Sequence, residues 1–578
     1  MTERSHNEVI KEGSNFLRGT IAEGLRDHVT GAIAEDDTQL TKFHGIYLQD
    51  DRDLRAERAK KKMEKAFSFM ARVRIPAGVL TPAQWIALHD IAAERGNGTL
   101  RLTTRQTIQF HGLIKSNLRP AIQAVNAALL DTIAACGDVN RNVIASVIPQ
   151  HRAVDATIAA TARAISTHLL PHSQAWHEIW IDDALVAGGD QEDEPILGRT
   201  YLPRKFKIAI AVPPQNDTDV FAHDLGLIAI VQGSRVVGYN VAVGGGMGMT
   251  HGEPDTFPRT GDVIGFCRPE QVVEVCAAIV TIQRDWGDRA DRKHARLKYT
   301  IERTGLDRFV AGLHERLGYD LAPEQPYRFA RTGDAQGWVA GEDSNAHYFL
   351  FIENGRVSGA MLDGLRAIAA VHEGRFVLTP NQNLVIADVA PKRRAAIEGL
   401  LVRLGQSQSS VLRRNAMACV ALPTCGLALA ESERYLPDLI TALDDVMAQH
   451  GLQNEEITIR MTGCPNGCAR PYLAEIGLVG TAPGRYNLYL GGAFDGTRLS
   501  KLYRRGIDHA GIVAALAPLF ALYASERIAD ERFGAFVIRK GHVHATLAGR
   551  AFHADVDRGT VGHAGTEHGV AAAVVTPA

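Results

Sequence analysis

An internal duplication constrains the fold of this chain more than any other feature of its sequence. The pattern that starts near residue 67 and runs through RLTTRQTIQFHG (101–112) returns at 349–388. The matching positions are Ile75 and Ile352, Gly78 and Gly355, Leu102 and Leu378, Thr103 and Thr379, and Gln106 and Gln382. Each copy is predicted to form a strand, a helix and a strand over about 40 residues. A repeat of this size has to be accounted for before the fold class is assigned.

A second unit is duplicated downstream of each copy. RNVIASV (141–147) matches RNAMACV (414–420), and DLGLIAI (224–230) matches AEIGLVG (474–480). The chain is therefore interpreted as two halves, at about 70–345 and 346–548. Two such halves would enclose one site between them, because ligand sites are often found at domain interfaces.

Four of the seven cysteines lie in the second half, where Cys419 and Cys425 form a C-x5-C pair and Cys464 and Cys468 form a C-x3-C pair. Four thiolates suit a tetrahedral sulfur site, which means zinc or an iron–sulfur cluster. The alternative is four unrelated buried cysteines. Pro465 and Gly467 favour a tight turn inside the second pair, which argues against unrelated cysteines. Cys136, Cys267 and Cys276 are expected to be ordinary buried residues.

The cysteine motifs ACVALPTC and TGCPNGC resemble the signature of siroheme and 4Fe–4S sulfite and nitrite reductases. Further segments resemble the hemoprotein subunit of that family, from about residue 10 to 545. They are FHGIYLQDDRDLRAERA (43–59), RLTTRQTIQFHG (101–112), TYLPRKFK (200–207), TIQRDWGDRADRK (281–293) and APGRYNLYLGG (482–492). The resemblance implies a siroheme, a 4Fe–4S cluster held by the four cysteines, and a bridge from cluster to siroheme iron through Cys468.

The fold class expected from the duplication and the resemblance is α+β, a pseudo-twofold sulfite/nitrite reductase fold of mixed α/β domains around a central siroheme–4Fe–4S site. The expected units are a wrapping arm (1–66), a ferredoxin-like half-domain (67–136), a siroheme-binding domain (137–345), a second ferredoxin-like half-domain (346–408), a second siroheme and cluster domain (409–548) and a disordered tail (549–578).

The two halves differ in charge. Arg72 and Arg74 are two residues apart in a strand-like run and point to one face, as do Lys205 and Lys207. Buried cations are costly without an anion to meet them. The resemblance places Arg72, Arg141, Lys205 and Lys207 around the open axial side of siroheme, where they would bind sulfite and supply protons. The alternative is a solvated strand face.

A set of polar residues is predicted to bind the cofactor. In RLTTRQTIQFH, a single strand would align every second side chain on one polar face, which suits the eight carboxylates of siroheme. That face comprises Arg101, Thr103, Arg105, Thr107, Gln109 and His111. Further candidates are Asn142, Arg292, Lys293, Lys298, Asn381, Gln382, Asn383 and Asn466. The alternative for the strand is a solvent-facing surface, and for the charged run at 283–299 a solvated helix. GGGMG (244–248) lacks nucleotide-binding spacing and is expected to bring backbone close to the cofactor.

The resemblance implies the hemoprotein subunit of an assimilatory sulfite reductase, which reduces sulfite to sulfide with six electrons. The rival enzyme is a siroheme nitrite reductase, and a non-catalytic iron–sulfur or zinc scaffold is the rival outside catalysis. No flavin or nicotinamide motif is present, so electrons are expected to arrive from another protein. The overall match, including DDRDLRAERA, resembles the subunit that pairs with an NADPH-dependent flavoprotein, and ferredoxin is the alternative donor. A net charge of −2 gives no general attraction to nucleic acid or membrane. The absence of a signal core or long apolar run, and the free thiols, favour the cytoplasm.

Overall fold

A computed structural model of the chain describes residues 4–172, 179–181, 184–187, 194–404, 409–554 and 556. The N-terminal segment contributes four short helices and one strand. They are α1 (His6–Gly13), α2 (Ile21–Arg26), α3 (Glu35–Leu40), β1 (Ile46–Asp50) and α4 (Arg55–Lys60). Because β1 pairs with the next strand of the chain, the segment is joined to the first sheet.

The first repeat begins at β2, the second strand of that sheet. Its elements are β2 (Phe67–Val73), β3 (Val79–Leu80), α5 (Pro82–Arg95), β4 (Thr99–Leu102), β5 (Ile108–Leu113) and α6 (Lys115–Ala127). Helix α5 starts at Pro82, and the capping box of Thr81 and Gln84 satisfies its first amides. The single strand expected over 101–111 is wrong, because residues 103–107 form the turn of a β4–β5 hairpin. Gln106 occupies this turn with φ 50°.

The second unit of the first half is a five-stranded sheet covered by helices. Its elements are β6 (Ile144–Ala145), α7 (Arg152–His168), β7 (Ile179–Ile181), β8 (Ala184–Ala187), β9 (Ile208–Ala211), β10 (Leu225–Gln232), β11 (Arg235–Val243), β12 (Asp262–Cys267), α8 (Val272–Trp286), α9 (Leu297–Thr304) and α10 (Leu306–Leu317). The sheet order is β12-β11-β10-β9-β6, and β7 and β8 form a separate hairpin.

The second half repeats both units. The first comprises β13 (Gly337–Ala340), β14 (Ala346–Leu350), β15 (Arg356–Ser358), α11 (Gly359–Val371), β16 (Arg375–Leu378), β17 (Leu384–Val389) and α12 (Pro391–Arg403). The second comprises α13 (Val411–Arg414), β18 (Ala416–Ala418), α14 (Leu436–Gln449), β19 (Ile459–Thr462), β20 (Ile476–Ala482), β21 (Arg485–Leu490), β22 (Lys501–Ile507), α15 (His509–Glu526) and α16 (Phe533–Arg539). The sheet order β18-β19-β20-β21-β22 matches that of its counterpart. The predicted duplication and the α+β class are confirmed.

The two remaining sheets exchange a strand. Their orders are β1-β2-β5-β4-β15 and β13-β14-β17-β16-β3, so each is completed by a strand from the other half. Gly78 (φ 73°) and Gly355 (φ 72°) sit at the two crossings. A Cβ at either glycine would collide with the carbonyl oxygen of Leu378 or Leu102, respectively, which explains the matching glycines in the repeat.

One apolar core joins the two exchanged sheets and their helices. Helices α5 and α11 pack together, and the ring of Trp85 stacks on Phe376 of the other half at a centroid distance of 5.1 Å. Separate cores lie under the β9–β12 and β19–β22 strands. Each of these two sheets contains a strand from both halves, so the sheets do not mark where one domain ends and the next begins. The predicted domain boundaries therefore stay a prediction.

Among the described residues, one helix, α15, is long and apolar enough by composition to cross a membrane. Ile512, Leu516 and Phe520 of this helix lie in the core of the last unit. One side of α15 therefore packs on that core.

The start of the predicted disordered tail is ordered, which corrects that prediction for residues 549–554. Phe552 is buried and stacks on Tyr489 at 5.7 Å. His553 Nε2 lies 2.9 Å from the carbonyl oxygen of Thr256. The rest of the predicted disordered tail, apart from Val556, lies outside the described residues.

Candidate active site

A cavity of about 360 Å³ lies where the two halves meet. The N-terminal segment, the β4–β5 hairpin and the loops at 137–141 and 204–205 line one side. The loops at 419–428 and 463–468 line the other, and all four predicted cysteine ligands face this cavity. The first half therefore supplies cations and the second half supplies thiols, as the comparison of the repeats predicted.

The cysteines are held at the ends of strands. Cys419 follows β18, and its amide donates to the carbonyl oxygen of Met461 at 3.2 Å. Its Sγ accepts the amide of Gly463 at 3.4 Å. Cys464 comes directly after the turn at Gly463, and its Sγ accepts from Asn466 Nδ2 at 3.5 Å. These contacts fix two of the thiols on rigid elements.

Cys468 lies on a loop that the first half also holds. The hydroxyl of Thr104, in the β4–β5 turn, donates to the carbonyl oxygen of Cys468 at 3.1 Å. Met249, which directly follows GGGMG, contacts the same loop, and its amide donates to the carbonyl oxygen of Pro465 at 3.0 Å. The loop that carries the predicted bridging thiol is thus clamped from two sides.

The thiols are arranged around a space and do not converge on a point. In the described part of the chain, no three His, Cys, Asp or Glu side chains are placed to share a single metal ion. Burial and the neighbouring Cys468 raise the pKa of Cys464 to about 12, and burial also raises the pKa of Cys419 and Cys425. Such thiols ionise when a cationic centre binds them. Four thiols around one cavity are a donor set suited to a metal centre.

Positive charge dominates the rest of the cavity wall. Eight Lys or Arg side chains line it against one carboxylate, Asp138. Burial, with repulsion from Arg292, lowers the pKa of Lys42 to about 8, and burial beside Arg292 lowers that of Arg204 to about 10. Burial opposes ionisation of Asp138, but Arg292 and Lys11 outweigh it and lower the pKa of that carboxyl. From outside the cavity, Glu8 pairs with Lys11 and Glu433 pairs with Arg101. The wall still has more cations than carboxylates, and a bound polyanion would neutralise the excess.

Buried polar atoms in this wall lack hydrogen-bond partners within the described protein. Both ring nitrogens of His111 and Nε of Arg72 are buried and make no hydrogen bond. An unsatisfied buried donor costs about 1–3 kcal/mol. Siroheme fits this donor set, because its carboxylates would supply the missing acceptors.

Ten of the predicted non-cysteine residues line this cavity: Arg72, Arg101, Thr103, Gln109, His111, Arg141, Lys205, Arg292, Gln382 and Asn466. Two more, Arg105 and Lys207, line a second, smaller cavity on the other side of Cys468. Lys205, Asn466 and Cys468 border both cavities, so the two cavities are neighbours.

Six predicted cofactor residues lie outside both cavities: Thr107, Asn142, Lys293, Lys298, Asn381 and Asn383. Asn142 binds the backbone of Ile75 and Arg105 instead. Lys293 pairs with Glu253 at 2.5 Å on the surface.

The other four support the walls. Lys298 donates to the carbonyl oxygens of Gly246 at 3.2 Å and Gly248 at 2.8 Å. Asn381 and Asn383 donate to Asp334, at 2.9 and 2.8 Å. The hydroxyl of Thr107 lies 2.6 Å from that of Thr103, across the hairpin turn. Arg74 also turns away and pairs with Asp131.

The structure adds residues that the sequence analysis did not select. Tyr47 and Lys42 from the N-terminal segment line the large cavity, as does Arg204. Cys136 is buried as predicted, but its Sγ lies 3.2 Å from Nη1 of Arg72 and so helps to orient it. Tyr47 and Arg204 belong to segments that carry the family resemblance, and that was the only signal for them.

Two family models match the chain. The nitrite and sulphite reductase 4Fe-4S domain matches residues 160–321. The nitrite/sulfite reductase ferredoxin-like half domain matches twice, at 61–128 and 340–404, which are the two exchanged units.

Relatives match over nearly their whole length. The sulfite reductase (NADPH) hemoprotein beta-component of Methylobacterium sp. (strain 4-46) is 59% identical, over 95% of this chain and 92% of that protein. The protein of the same name from Oceanobacillus iheyensis is 54% identical, over 94% and 96%. The solved structure of Mycobacterium tuberculosis NirA aligns with a TM-score of 0.75 and 26% identity, over 93% of this chain and 96% of NirA.

Together, the shared cavity and these full-length matches define a redox enzyme of the siroheme and 4Fe–4S class. The chain belongs to the nitrite and sulfite reductase family.

Proposed function

We propose that this chain is the hemoprotein subunit of an NADPH-type assimilatory sulfite reductase, which reduces sulfite to sulfide. The observation that carries the proposal is the shared cavity, because four thiols and eight cationic side chains face one space. The relatives with more than half of their residues identical bear the name of that subunit.

The residues present fit both cofactors. Cys419, Cys425, Cys464 and Cys468 would hold the 4Fe–4S cluster, with Cys468 shared between cluster and siroheme. Arg101, Arg141 and Arg292 are among the cations that would receive siroheme carboxylates. When bound, siroheme and the cluster supply the electron-transfer chemistry that no side chain provides.

The chain's own part in the reaction is to bind the oxyanion and to move protons. Arg72 and Arg141 offer guanidinium groups suited to paired contacts with sulfite oxygens. Burial and neighbouring cations lower the pKa of Lys205 and Lys207 well below its ordinary value. A lysine with a lowered pKa gives up its proton more readily, which suits a general acid for S–O cleavage.

Electrons would come from an NADPH-dependent flavoprotein in the cytoplasm. The relatives' names specify an NADPH-linked hemoprotein component, which supports this donor over ferredoxin.

The decisive experiment is anaerobic turnover of the purified chain with a reduced viologen dye. Sulfite and nitrite are offered separately, and siroheme and iron are quantified. The expected result is sulfide production with kcat/KM favouring sulfite. Preference for nitrite, or a protein that carries zinc, would refute the proposal.

A further inference from the structure

We propose that Tyr472 is a positioning residue for the loop that carries Cys468, and that residues 549–553 hold Tyr472 in place. We call residues 549–553 the C-terminal strap. This inference rests on the proposed function, because it concerns how firmly the proposed bridging thiol is held. It adds a residue that the sequence analysis did not select and gives the first residues of the tail a task.

Tyr472 lies directly against the loop formed by residues 464–468. Its side chain is fully buried, and its hydroxyl donates to the carbonyl oxygen of Pro465 at 3.3 Å. Its ring lies against Gly467, because a Cβ at that glycine would be 3.1 Å from Cε2 of Tyr472. The same Cβ would be 3.0 Å from the carbonyl oxygen of Met247, so Gly467 is enclosed from two directions. The residue next to the proposed bridging thiol therefore depends on Tyr472 for support.

The C-terminal strap packs on Tyr472. Phe552, which is buried, contacts the ring of Tyr472 edge to face at a centroid distance of 5.4 Å. Both rings belong to one apolar cluster with Met247 and Met249. Met247 and Gly467 also line the smaller cavity. The strap therefore completes an apolar cluster directly behind that cavity.

Polar contacts fix the C-terminal strap to both halves of the chain. From the second half, Nζ of Lys501 donates to the carbonyl oxygen of Ala551 at 2.6 Å. Toward the first half, Nη2 of Arg550 donates to the carbonyl oxygen of Glu302 at 2.7 Å. Phe552 is thus held between two anchored neighbours, and its ring is fixed against the cluster.

The repeat separates what both halves share from what the second half adds. Phe221 takes the place of Tyr472 in the first half, at the middle of the matching short 3-10 helix. The ring of Phe221 contacts that of Phe329 edge to face at 5.9 Å. Phe329 comes from the chain after α10, just as Phe552 comes from the chain after α16. The supported ring is therefore common to both halves, but the hydroxyl is present in the half that has the thiols.

This comparison assigns the hydroxyl to the site. A phenylalanine at this position is compatible with the fold, since the first half has one. The hydroxyl of Tyr472 adds a hydrogen bond to the loop that presents Cys468. Small displacements of a reacting group can have large effects on rate, so a bond that fixes this loop bears on the reaction.

The test removes the hydroxyl and leaves the ring. Tyr472→Phe copies the first half at this position. Tyr489→Phe is the matched control, because Tyr489 belongs to the same apolar cluster but its hydroxyl contacts the side chain of Asn487. Phe552→Leu replaces the ring of the strap with a smaller apolar side chain. The wild-type and variant holoenzymes are purified anaerobically. Siroheme loss over time is followed in the visible spectrum, and Tm, kcat and the KM for sulfite are measured, with reduced viologen as the electron donor.

Tyr472→Phe should lose siroheme faster than the wild type, and its kcat should fall by roughly twofold to tenfold, the factor expected for one hydrogen bond. The KM for sulfite and the Tm should change little, because the cations of the cavity and the packing of the ring are retained. Phe552→Leu should also speed siroheme loss and lower kcat, and Tyr489→Phe should behave as the wild type.

Wild-type siroheme retention and kcat in Tyr472→Phe, or an equal effect in Tyr489→Phe, would overturn the inference. The rate of siroheme loss does not depend on which oxyanion is reduced. A wild-type protein that prefers nitrite, or that contains no siroheme, would instead refute the proposed function, which keeps the two failures distinct.

Discussion

Asp219 and Arg470 hold equivalent positions in the two halves and form an ion pair with each other across the pseudo-twofold axis. Each has a left-handed backbone conformation, with φ 50° and 56°, and each precedes a short 3-10 helix. Arg460 also binds the Asp219 carboxylate, at 2.6 Å. One fully buried carboxylate of the first half thus pairs with two buried arginines of the second.

The pair also helps to hold the loop that carries Cys468, the proposed bridging residue. Arg470 lies two residues after Cys468, and its guanidinium donates to the carbonyl oxygens of Thr104 at 3.2 Å and Pro380 at 3.0 Å. These carbonyls belong to the equivalent hairpin turns of the two exchanged sheets. The loop with Cys468 is therefore held by both halves together.

Asp219→Asn should destabilise the protein and impair cofactor loading, because it leaves two buried arginines without a counter-charge. Breaking a buried pair typically costs about 3–5 kcal/mol. The measurements are thermal unfolding and siroheme and iron content. Asp262→Asn, which removes a partly exposed partner of Arg259, is the control and should have little effect. Normal loading and an unchanged Tm in Asp219→Asn would show that the pair is dispensable.

Cys468→Ser should lower both cluster and siroheme content, because one thiolate is proposed to serve both. The visible spectrum and iron analysis of anaerobically purified protein provide the measurement. Cys267→Ala, at a buried thiol outside both cavities, should retain both cofactors. A Cys468→Ser protein with a normal siroheme spectrum would assign the bridge to another residue.

Lys207→Ala should slow viologen-coupled sulfite reduction by roughly tenfold to a few hundredfold, since a charge-assisted hydrogen bond contributes about 1.5–3 kcal/mol. Siroheme and iron content should remain near normal, because this lysine lines only the smaller cavity. Lys293→Ala is the matched control, as that lysine pairs with Glu253 on the surface. Equal turnover in the two variants would remove Lys207 from the substrate site. Arg141→Ala should also slow turnover, but it lines the proposed siroheme cavity and can change loading as well.

The free energy of unfolding should contain a component that decreases as the pH rises from about 4 to about 7. Burial raises the pKa of Asp217, the repeat counterpart of Cys468, to about 7, against 3.8 for a free carboxyl. The folded state therefore holds this proton more tightly than the unfolded state. The resulting stabilisation is complete below pH 4 and is lost as the pH rises through 7, at about 1.4 kcal/mol per pKa unit.

Asp217→Asn should flatten this pH dependence of Tm, measured in steps from pH 4.5 to 8. Glu475, whose pKa is also raised to about 7 by burial, is left in place and should preserve part of the slope. A variant that keeps the wild-type slope would show that folding does not raise the pKa of Asp217.

The duplication, and the grouping of the four cysteines around one cavity, could be predicted from sequence because both rest on patterns of identity and spacing. Ser146 illustrates how far the pattern holds, since its Oγ accepts the amide of Val212 at 3.1 Å, just as Cys419 Sγ accepts that of Gly463. Lys205 and Lys207 were selected because the repeat has Glu456 and Thr458 in their place. Both lysines line a cavity, and their role in binding substrate stays a prediction.

The β4–β5 hairpin, and the distribution of the cations between the two cavities, could not be predicted in the same way. A period of two treats residues 101–111 as one strand, but the turn at Gln106 sends Arg105 to the smaller cavity and leaves Arg101 on the larger. Tyr47 and Lys42 come from a distant segment, and local periodicity contains no information about such a contact. Only tertiary packing decides these positions.

The strand exchange bears on how the chain came to be. A protein of half this length would have a four-stranded sheet with an open edge where β3 or β15 now pairs. An ancestor of that size would have covered this edge by exchanging the strand with a second copy of itself, as an obligate homodimer. Gene fusion would then have preserved the strand exchange and allowed the two copies to diverge, with thiols in one half and cations in the other.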